Sequence, residues 1–294
     1  MPTSLPREAR MRYWQPAPEL RTVVSGYHLY AVDPGDGAPQ KDAFQPAGPI
    51  LRFTYGEPLS WRVRPPGGDW SLVPPVALFG PSDGVSWSES GPGLTVGLGI
   101  LPRGWARLSP VPAAAWANRL GFPGRDVRID VKGLAQAIAR AGDDEEVPGI
   151  LDRAILSALA IPPPEDAVIA AFERALLEAE VDNVSELARR VGRPVRSTER
   201  LAARAFGFPP KKLIRRARFL RSLHALGAAN PPERAGAIHY GYTDYSHFVR
   251  DAHAFLGMSP QAFLRMDNPM LRQSLALRRE VLGAAAQALA GSES

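Results

Sequence analysis

The chain contains no cysteine, which excludes disulfide bonds, thiol nucleophiles and thiolate metal sites. It has no run of about 18 apolar residues, the length that a membrane-spanning helix needs. Its first residues, MPTSLPREARMRYW, lack the apolar core of a signal peptide. We therefore expect a cytoplasmic protein without a membrane segment.

The first 160 residues also lack the usual catalytic patterns. They contain no histidine cluster, no glycine-rich phosphate loop and no nucleophile elbow. A metal site in a small barrel needs several histidines and a carboxylate, whereas His28 is alone in this part of the chain. A lone histidine beside Tyr27 and Tyr30 is more typical of a packed or exposed ring than of a ligand. We expect no enzymatic activity, metal or cofactor; an enzyme whose N-terminal half catalyses and whose C-terminal half is an accessory domain is an alternative.

The composition is that of a globular protein with two domains. Hydrophobic residues make up 45% and charged residues 22% of 294 residues, enough for a proper core. Residues 1 to about 108 contain short β-branched or aromatic runs between Gly/Pro clusters, which predict a small barrel or sandwich. These runs are 22–32, 49–55, 59–64, 69–73, 76–80 and 94–101. The tryptophans of this region either line a ligand pocket or fill and cover the barrel: Trp14, Trp61, Trp70, Trp87 and Trp105.

Residues 109 to 161 show helical periodicity, in the segments 110–121, 134–142 and 147–161. The last segment carries one broad apolar stripe of Ile150, Leu151, Ala154, Ile155, Ala158 and Leu159. This stripe either packs on the barrel or pairs two subunits. Pro162-Pro163-Pro164 is expected to be a short stiff linker at the domain boundary.

Two stretches of the second half repeat one pattern at a spacing of about 50 residues. In each, an alanine lies four residues before a glycine, which lets two helices cross closely in a helix-turn-helix. The two pairs are Ala188 with Gly192 and Ala237 with Gly241. A helix with an arginine follows each glycine and ends in a Gly-apolar-x-Pro sequence, Gly207 to Pro210 and Gly257 to Pro260. Two units joined by a long helix from Pro209-Pro210 are expected.

Capping residues mark the ends of these helices. Asn183 is expected to cap one helix, with Glu186 completing a capping box. Either Thr243 or Asp244 is expected to cap another. Gly192 and Gly257 are expected to end helices.

A basic block coincides with the first unit. Residues 189 to 221 carry twelve arginines and lysines against Glu199 alone, a net charge of +11. Because the whole chain carries +5, the remaining residues carry −6. Such a block is the electrostatic footprint of a phosphate-backbone partner. A solvated helical face is the other interpretation, but the coincidence with a helix-turn-helix pattern favours DNA.

Residues 241–260, GYTDYSHFVRDAHAFLGMSP, resemble the second helix-turn-helix of the AraC/XylS family of bacterial transcription regulators. The resemblance covers roughly residues 166 to 266 and rests on the paired units, the SHF-x-R core and the G-M-S-P end. Tyr245 stands where the family usually has glutamine. Thr198, Ala202 and Ala252 stand where it usually has large apolar residues.

The resemblance implies a sequence-specific DNA-binding transcription regulator whose two units enter successive major-groove segments. It also implies an N-terminal cupin-like barrel that senses a small molecule or mediates dimerisation. We therefore expect double-stranded DNA, a second copy of the chain, a small-molecule effector and RNA polymerase as partners. The sequence does not identify the effector-binding residues. A regulator without an effector, whose barrel only dimerises, is an alternative.

The expected fold class is α+β with three parts. Residues 1–161 form the β-rich sensor or dimerisation domain with a helical second half. Residues 166–270 form the all-α tandem helix-turn-helix domain. Residues 271–294 form a helical tail.

The faces of the two recognition helices predict which residues meet DNA. Arginine can donate twice to guanine and glutamate can accept from cytosine, although Glu199 can equally hold Arg196 or Arg200 in place. His247 and Phe248 are expected to face the protein. The expected base-facing residues are Arg196, Glu199 and Arg200, which share one helix face, and Tyr245, Ser246, Val249 and Arg250. The expected phosphate contacts are Arg193, Arg204, Lys211, Lys212 and Arg215.

Overall fold

The computed structural model describes residues 10–33, 39–56, 61–178, 180–228, 242 and 244–283. Its first half contains two antiparallel sheets. The strands are β1 (Arg10–Trp14), β2 (Val24–Val32), β3 (Gln40–Phe44), β4 (Ile50–Tyr55), β5 (Arg62–Arg64), β6 (Ser71–Leu72), β7 (Val76–Phe79), β8 (Ser86–Ser90), β9 (Gly93–Ile100) and β10 (Leu120–Gly121). The larger sheet has the order β1-β2-β9-β4-β7-β10, and the smaller has the order β3-β8-β5-β6. The fold class predicted from the sequence is confirmed.

The six runs predicted as strands correspond to β2, β4, β5, β6, β7 and β9. The sequence missed β1, β3, β8 and β10. Strands β3 (QKDAF) and β8 (SWSES) are polar or mixed and pair with each other, so they lack the apolar runs used to recognise strands. Their order depends on long-range pairing, which no local pattern reports.

The helices follow the sheets in the chain. They are α1 (Pro102–Leu108), α2 (Val131–Ala139), α3 (Val147–Ala158), α4 (Asp166–Leu177), α5 (Val184–Arg190), α6 (Val195–Ala205), α7 (Pro210–Ala228), α8 (Tyr245–Leu256), α9 (Pro260–Arg265) and α10 (Pro269–Leu282). Two expectations need correction. Helix α1 lies in the region predicted as β-rich, and segment 110–121 forms a 3-10 helix at Ala113–Trp116 followed by β10 rather than a helix.

One face of the larger sheet packs against α1, α2 and α3. Leu151 and Ile155 of α3 are fully buried in the same core as Tyr27 and Leu29 of β2. The apolar stripe of α3 therefore packs on the sheet domain, which decides between the two interpretations of that stripe. No helix in the described ranges has the length and apolarity to cross a bilayer.

Most of the five tryptophans serve packing. Trp61 and Trp105 are buried, and Trp14 packs against the core of the larger sheet. The Trp70 ring lies beneath the guanidinium groups of Arg62 and Arg64. Among the five, only Trp87 lines the cavity between the two sheets.

Helix α10 returns from the C-terminal half to the sheet domain. The hydroxyl groups of Tyr13 on β1 and Ser274 on α10 are 2.7 Å apart. The Leu271 amide donates to Asp42 at 3.1 Å, and the Ala43 amide donates to Asn268 at 2.9 Å. Helix α10, which contains most of the described part of the predicted tail, is docked across β1 and β3.

Candidate nucleic-acid interface

The first unit consists of α5, a glycine turn and α6. Asn183 caps α5 as predicted, because its Oδ1 accepts a 2.9 Å hydrogen bond from the Glu186 amide. Gly192 ends the helix with φ +64°, a left-handed conformation that favours glycine. Glu186 does not complete the capping box. Its carboxylate accepts hydrogen bonds from Arg189 and Arg190, which lower its pKa to about 2.

Helix α6 has a buried inner face and an exposed outer face. Thr198 and Ala202 are fully buried, and the Thr198 hydroxyl donates to the carbonyl of Pro194 at 3.1 Å. The outer face exposes Arg196, Glu199 and Arg200. The small inner residues thus form part of a packed core that also contains Phe172 and Phe206, whose ring centroids are 4.4 Å apart.

Glu199 pairs with neither neighbouring arginine. No described residue forms an ion pair or hydrogen bond with it, and its side chain is exposed. The interpretation in which Glu199 only positions Arg196 or Arg200 is therefore not adopted in this structure. All three charged groups of the outer face are open to a ligand.

The second unit is described from its recognition helix onward. Asp244 caps α8 by accepting a 2.7 Å hydrogen bond from the His247 amide, and Gly257 ends it with φ +72°. The first helix of this unit, with Ala237 and Gly241, lies outside the described residues, as does Thr243. Tyr245, Ser246 and Arg250 are exposed and Val249 is half-buried.

Aromatic rings from two helices fill the space beneath α8. Phe248, Ala252, Phe255 and Leu256 form its buried face. The ring centroid of Phe219 on α7 lies 5.7 Å from that of Phe248 and 5.2 Å from that of Phe255. Phe219 thus packs against both aromatic rings of the buried face of α8, so this core is fuller than α8 alone indicates.

Asp251 is the central polar residue of this unit, and sequence reasoning missed it. Its side chain is 1% exposed. It accepts hydrogen bonds from Arg215 at 2.6 Å, Arg218 at 3.4 Å and the Tyr242 hydroxyl at 2.8 Å. Helical spacing could have identified it, because Asp251 lies three residues after Phe248 and four before Phe255 and so shares their buried face. The contact fixes α8 to α7 while leaving the adjacent Arg250 exposed.

Several residues of the basic block form ion pairs or hydrogen bonds within the protein. Lys212 binds Asp83 of the sheet domain, and Arg221 donates to the carbonyl of Leu176 at 2.7 Å. Arg216 is buried, donates to the carbonyl of Ser82 at 2.9 Å, and has its pKa lowered to about 10 by burial. Arg204 lies 3.7 Å from Glu165.

Four members of the block have no ion-pair or hydrogen-bond partner among the described residues. They are Arg193, Arg196, Arg200 and Lys211, and all four are exposed. The free positive charge is therefore concentrated on the turn before α6, on the outer face of α6 and at the start of α7. The described residues as a whole contain no cluster of three or more His, Asp or Glu that could hold a metal ion.

A family model described as a helix-turn-helix domain matches residues 187–266, which run from the middle of α5 to the end of α9. The C-terminal part of the chain is an AraC-type helix-turn-helix domain. The AraC-type domain is the DNA-binding part of transcription regulators, and this chain is a DNA-binding transcription regulator. In helix-turn-helix proteins the second helix of a unit lies in the major groove of DNA, and α6 is that helix in the first unit.

Comparison of the whole chain gives weaker likenesses. A structure of ToxT from Vibrio cholerae covers 81% of this chain and 97% of its own, with 10% identity and a TM-score of 0.43. ToxT from Vibrio cholerae with an unsaturated fatty acid bound covers 81% and 94%, with 11% identity and a TM-score of 0.43. These values are too low to transfer a ligand or a function. No curated protein sequence matches the chain.

Proposed function

We propose that this protein is a sequence-specific regulator that reads duplex DNA with α6 and α8 together. One observation carries the proposal: each helix exposes a polar outer face over a separate, fully packed core. On α6 the exposed Arg196, Glu199 and Arg200 lie opposite buried Thr198 and Ala202. Side chains that need no internal partner are free to contact base edges in the major groove.

We assign each side chain to base contacts or to phosphate contacts from its exposure and its partners within the protein. Arg196, Glu199, Arg200, Tyr245, Ser246, Val249 and Arg250 are proposed as the base-facing set. Arg193, Arg204 and Lys211 are proposed as phosphate contacts, because all are exposed and lie beside the outer face of α6. Lys212 and Arg215 stay predictions as phosphate contacts, since each has a close acidic partner within the protein, whereas the exposed Arg204 lies 3.7 Å from Glu165.

The sheet domain is proposed to bind a regulatory small molecule rather than to catalyse a reaction. Residues 1–161 are proposed as the sensor domain, 166–270 as the DNA-binding domain and 271–294 as the tail. A homodimer and a contact with RNA polymerase stay predictions from the family resemblance. Because the partner is DNA, we propose that the protein acts in the cytoplasm.

Selection of DNA ligands by the full chain tests the proposal. Duplexes recovered from a random pool should share a sequence, and the protein should bind them more tightly than scrambled duplexes. Arg196→Ala and Arg250→Ala should each reduce this discrimination by about 1–3 kcal/mol, the worth of a good bidentate base contact.

Arg189→Ala is the matched control, because Arg189 is exposed on α5 and forms an ion pair with Glu186. It should leave the discrimination unchanged. A pool that yields no shared sequence would overturn sequence-specific reading. Equal losses of Arg196→Ala and Arg250→Ala on selected and scrambled DNA would assign these arginines to phosphates instead.

A further inference from the structure

The two recognition helices present different chemistry on their outer faces. On α6 the face is charged: Arg196 and Arg200 lie one helical turn apart, and Glu199 lies between them on the same side. No ion pair or hydrogen bond joins Glu199 to any described residue. Its carboxylate is therefore an unpaired acceptor on a surface that carries surplus positive charge.

A carboxylate on a DNA-facing surface has few favourable partners. The phosphate groups repel it, so it lowers the affinity for the DNA backbone. In the major groove, however, glutamate can accept a hydrogen bond from the N4 amino group of cytosine, and arginine can donate twice to guanine. An outer face with two arginines and one glutamate thus suits a segment of G·C pairs.

Helix α8 combines an apolar row with a polar row. Tyr245 and Val249 lie one turn apart on its outer side, and the neighbouring row holds Ser246 and Arg250. Tyr245 is 40% exposed, and its ring centroid lies 6.2 Å from that of buried Phe248. Val249 is half-buried, yet it packs on none of the buried apolar clusters that the described residues form. Both side chains therefore keep apolar surface that is open to a ligand.

The apolar group that the major groove offers is the 5-methyl group of thymine. A C·G pair lacks it and gives an apolar side chain nothing to bury. Burial of one such carbon against protein is worth about fourfold in affinity. An exposed apolar row beside Arg250 thus suits a thymine close to a guanine.

We propose that the two units select bases of different kinds: Glu199 of α6 accepts a hydrogen bond from a cytosine, and Tyr245 and Val249 of α8 contact the methyl group of a thymine. Glu199 also disfavours DNA without this cytosine, because its charge is then left beside the phosphates without a partner. The preferred DNA therefore consists of two unlike segments, and the protein binds it in one orientation. These base preferences rest on the proposed function, since they name the bases that the proposed surfaces read.

Replacement of thymine by uracil, which removes only the methyl group, tests the second helix. Each thymine of a duplex selected by the full chain is replaced in turn. Uracil at the thymine that α8 contacts should weaken binding about fourfold. Val249→Ala should bind the thymine and uracil duplexes with more nearly equal affinity, because the methyl group has lost a partner.

Val195→Ala is the matched control, since it is the same truncation at an exposed position of α6. It should keep the full uracil penalty. If no uracil substitution weakens binding, or if Val249→Ala and Val195→Ala show the same penalty, α8 does not read a thymine methyl group.

Selection repeated with Glu199→Gln tests the first helix. Glutamine pairs with adenine rather than with cytosine, so the preferred base should change from cytosine to adenine at one position. A wrong base at this position should cost the wild type about five- to 150-fold in affinity. Scrambled duplexes should bind Glu199→Gln more tightly than the wild type, because one repulsive charge is gone. Glu280→Gln removes the same charge from an exposed site on α10 and should change neither property.

The outcomes of this selection distinguish the base preferences from the proposed function. A shared sequence with the same preferred bases for the wild type and Glu199→Gln would overturn the role of Glu199 and leave sequence-specific binding intact. Recovery of no shared sequence by the wild type would overturn the proposed function and, with it, both base preferences.

Discussion

The guanidinium of Arg215 on α7 donates a 2.6 Å hydrogen bond to the carboxylate of Asp251, which is buried on α8. Arg218 and the Tyr242 hydroxyl share the same carboxylate. Two cations and a phenol therefore hold the inner side of the second recognition helix. This arrangement sets the angle at which Tyr245, Ser246 and Arg250 are presented.

Asp251→Asn should destabilise the second unit and abolish specific DNA binding. Removing one partner of a buried ion pair costs about 3–5 kcal/mol. Urea unfolding and binding to selected DNA would measure both effects. Asp267→Asn is the control: Asp267 is 90% exposed and pairs with Arg272, so its loss should cost at most about 1 kcal/mol. Equal stabilities of the two variants would show that the Asp251 cluster does not hold α8 in place.

Phe248→Ala should unfold the second unit while the first stays folded. Phe248 is fully buried against Phe219 and Tyr242, and such a truncation costs about 3–5 kcal/mol. Hydrogen exchange should show protection lost in α8 and the second half of α7 but kept in α5 and α6, which belong to a separate core. Phe122→Ala, at a site 50% exposed, should change neither. Loss of protection throughout both units would instead indicate one cooperative block.

The neighbours Lys211 and Lys212 should differ in their effect on the salt dependence of DNA binding. Each phosphate contact adds about 0.9 to the slope of log affinity against log salt concentration. Lys211→Gln should therefore reduce the slope by about 0.9. Lys212→Gln should leave it unchanged, because Lys212 is bound to Asp83. If Lys212→Gln also lowers the slope, this ion pair opens on DNA and Lys212 contacts phosphate, as the sequence predicted.

The stability of the protein should fall as the pH falls from about 6.5 to about 4. Burial and then the charge of Arg279 lower the pKa of His224 to about 4, and its Nε2 lies 2.9 Å from Oε1 of Gln45. An unfolded histidine has a pKa of about 6.5, so between these pH values the unfolded chain binds a proton that the folded chain does not. This lowers the free energy of unfolding by about 3 kcal/mol at most. The lowered pKa of buried His28 acts in the same direction.

Urea unfolding at several pH values between about 7.5 and about 4.5 measures this dependence. His224→Gln should show a shallower loss of stability on acidification than the wild type. His253→Gln should match the wild type, because His253 is exposed on α8. A wild-type slope for His224→Gln would mean that its imidazole takes up a proton in the folded state as readily as in the unfolded chain.

The sequence determined the local architecture of the DNA-binding half. Asn183, Gly192, Asp244 and Gly257 end or begin helices through contacts within three or four residues, and helical spacing placed Arg196, Glu199 and Arg200 on one face. Such features depend on neighbours along the chain, so a single sequence displays them. The β-branched and aromatic runs between Gly/Pro clusters identified six of the ten described strands for the same reason.

Tertiary structure decided which charges are free to bind DNA. Lys212 binds Asp83, which is 129 residues away in the sequence, and Tyr13 is hydrogen-bonded to Ser274, which is 261 residues away. The partners of the basic block, the packing of Phe219 against α8 and the docking of α10 on the sheets all arise from such distant pairs. A side chain's net charge can be read from sequence, but its availability to DNA depends on whether folding supplies a partner, and that is settled by packing in three dimensions.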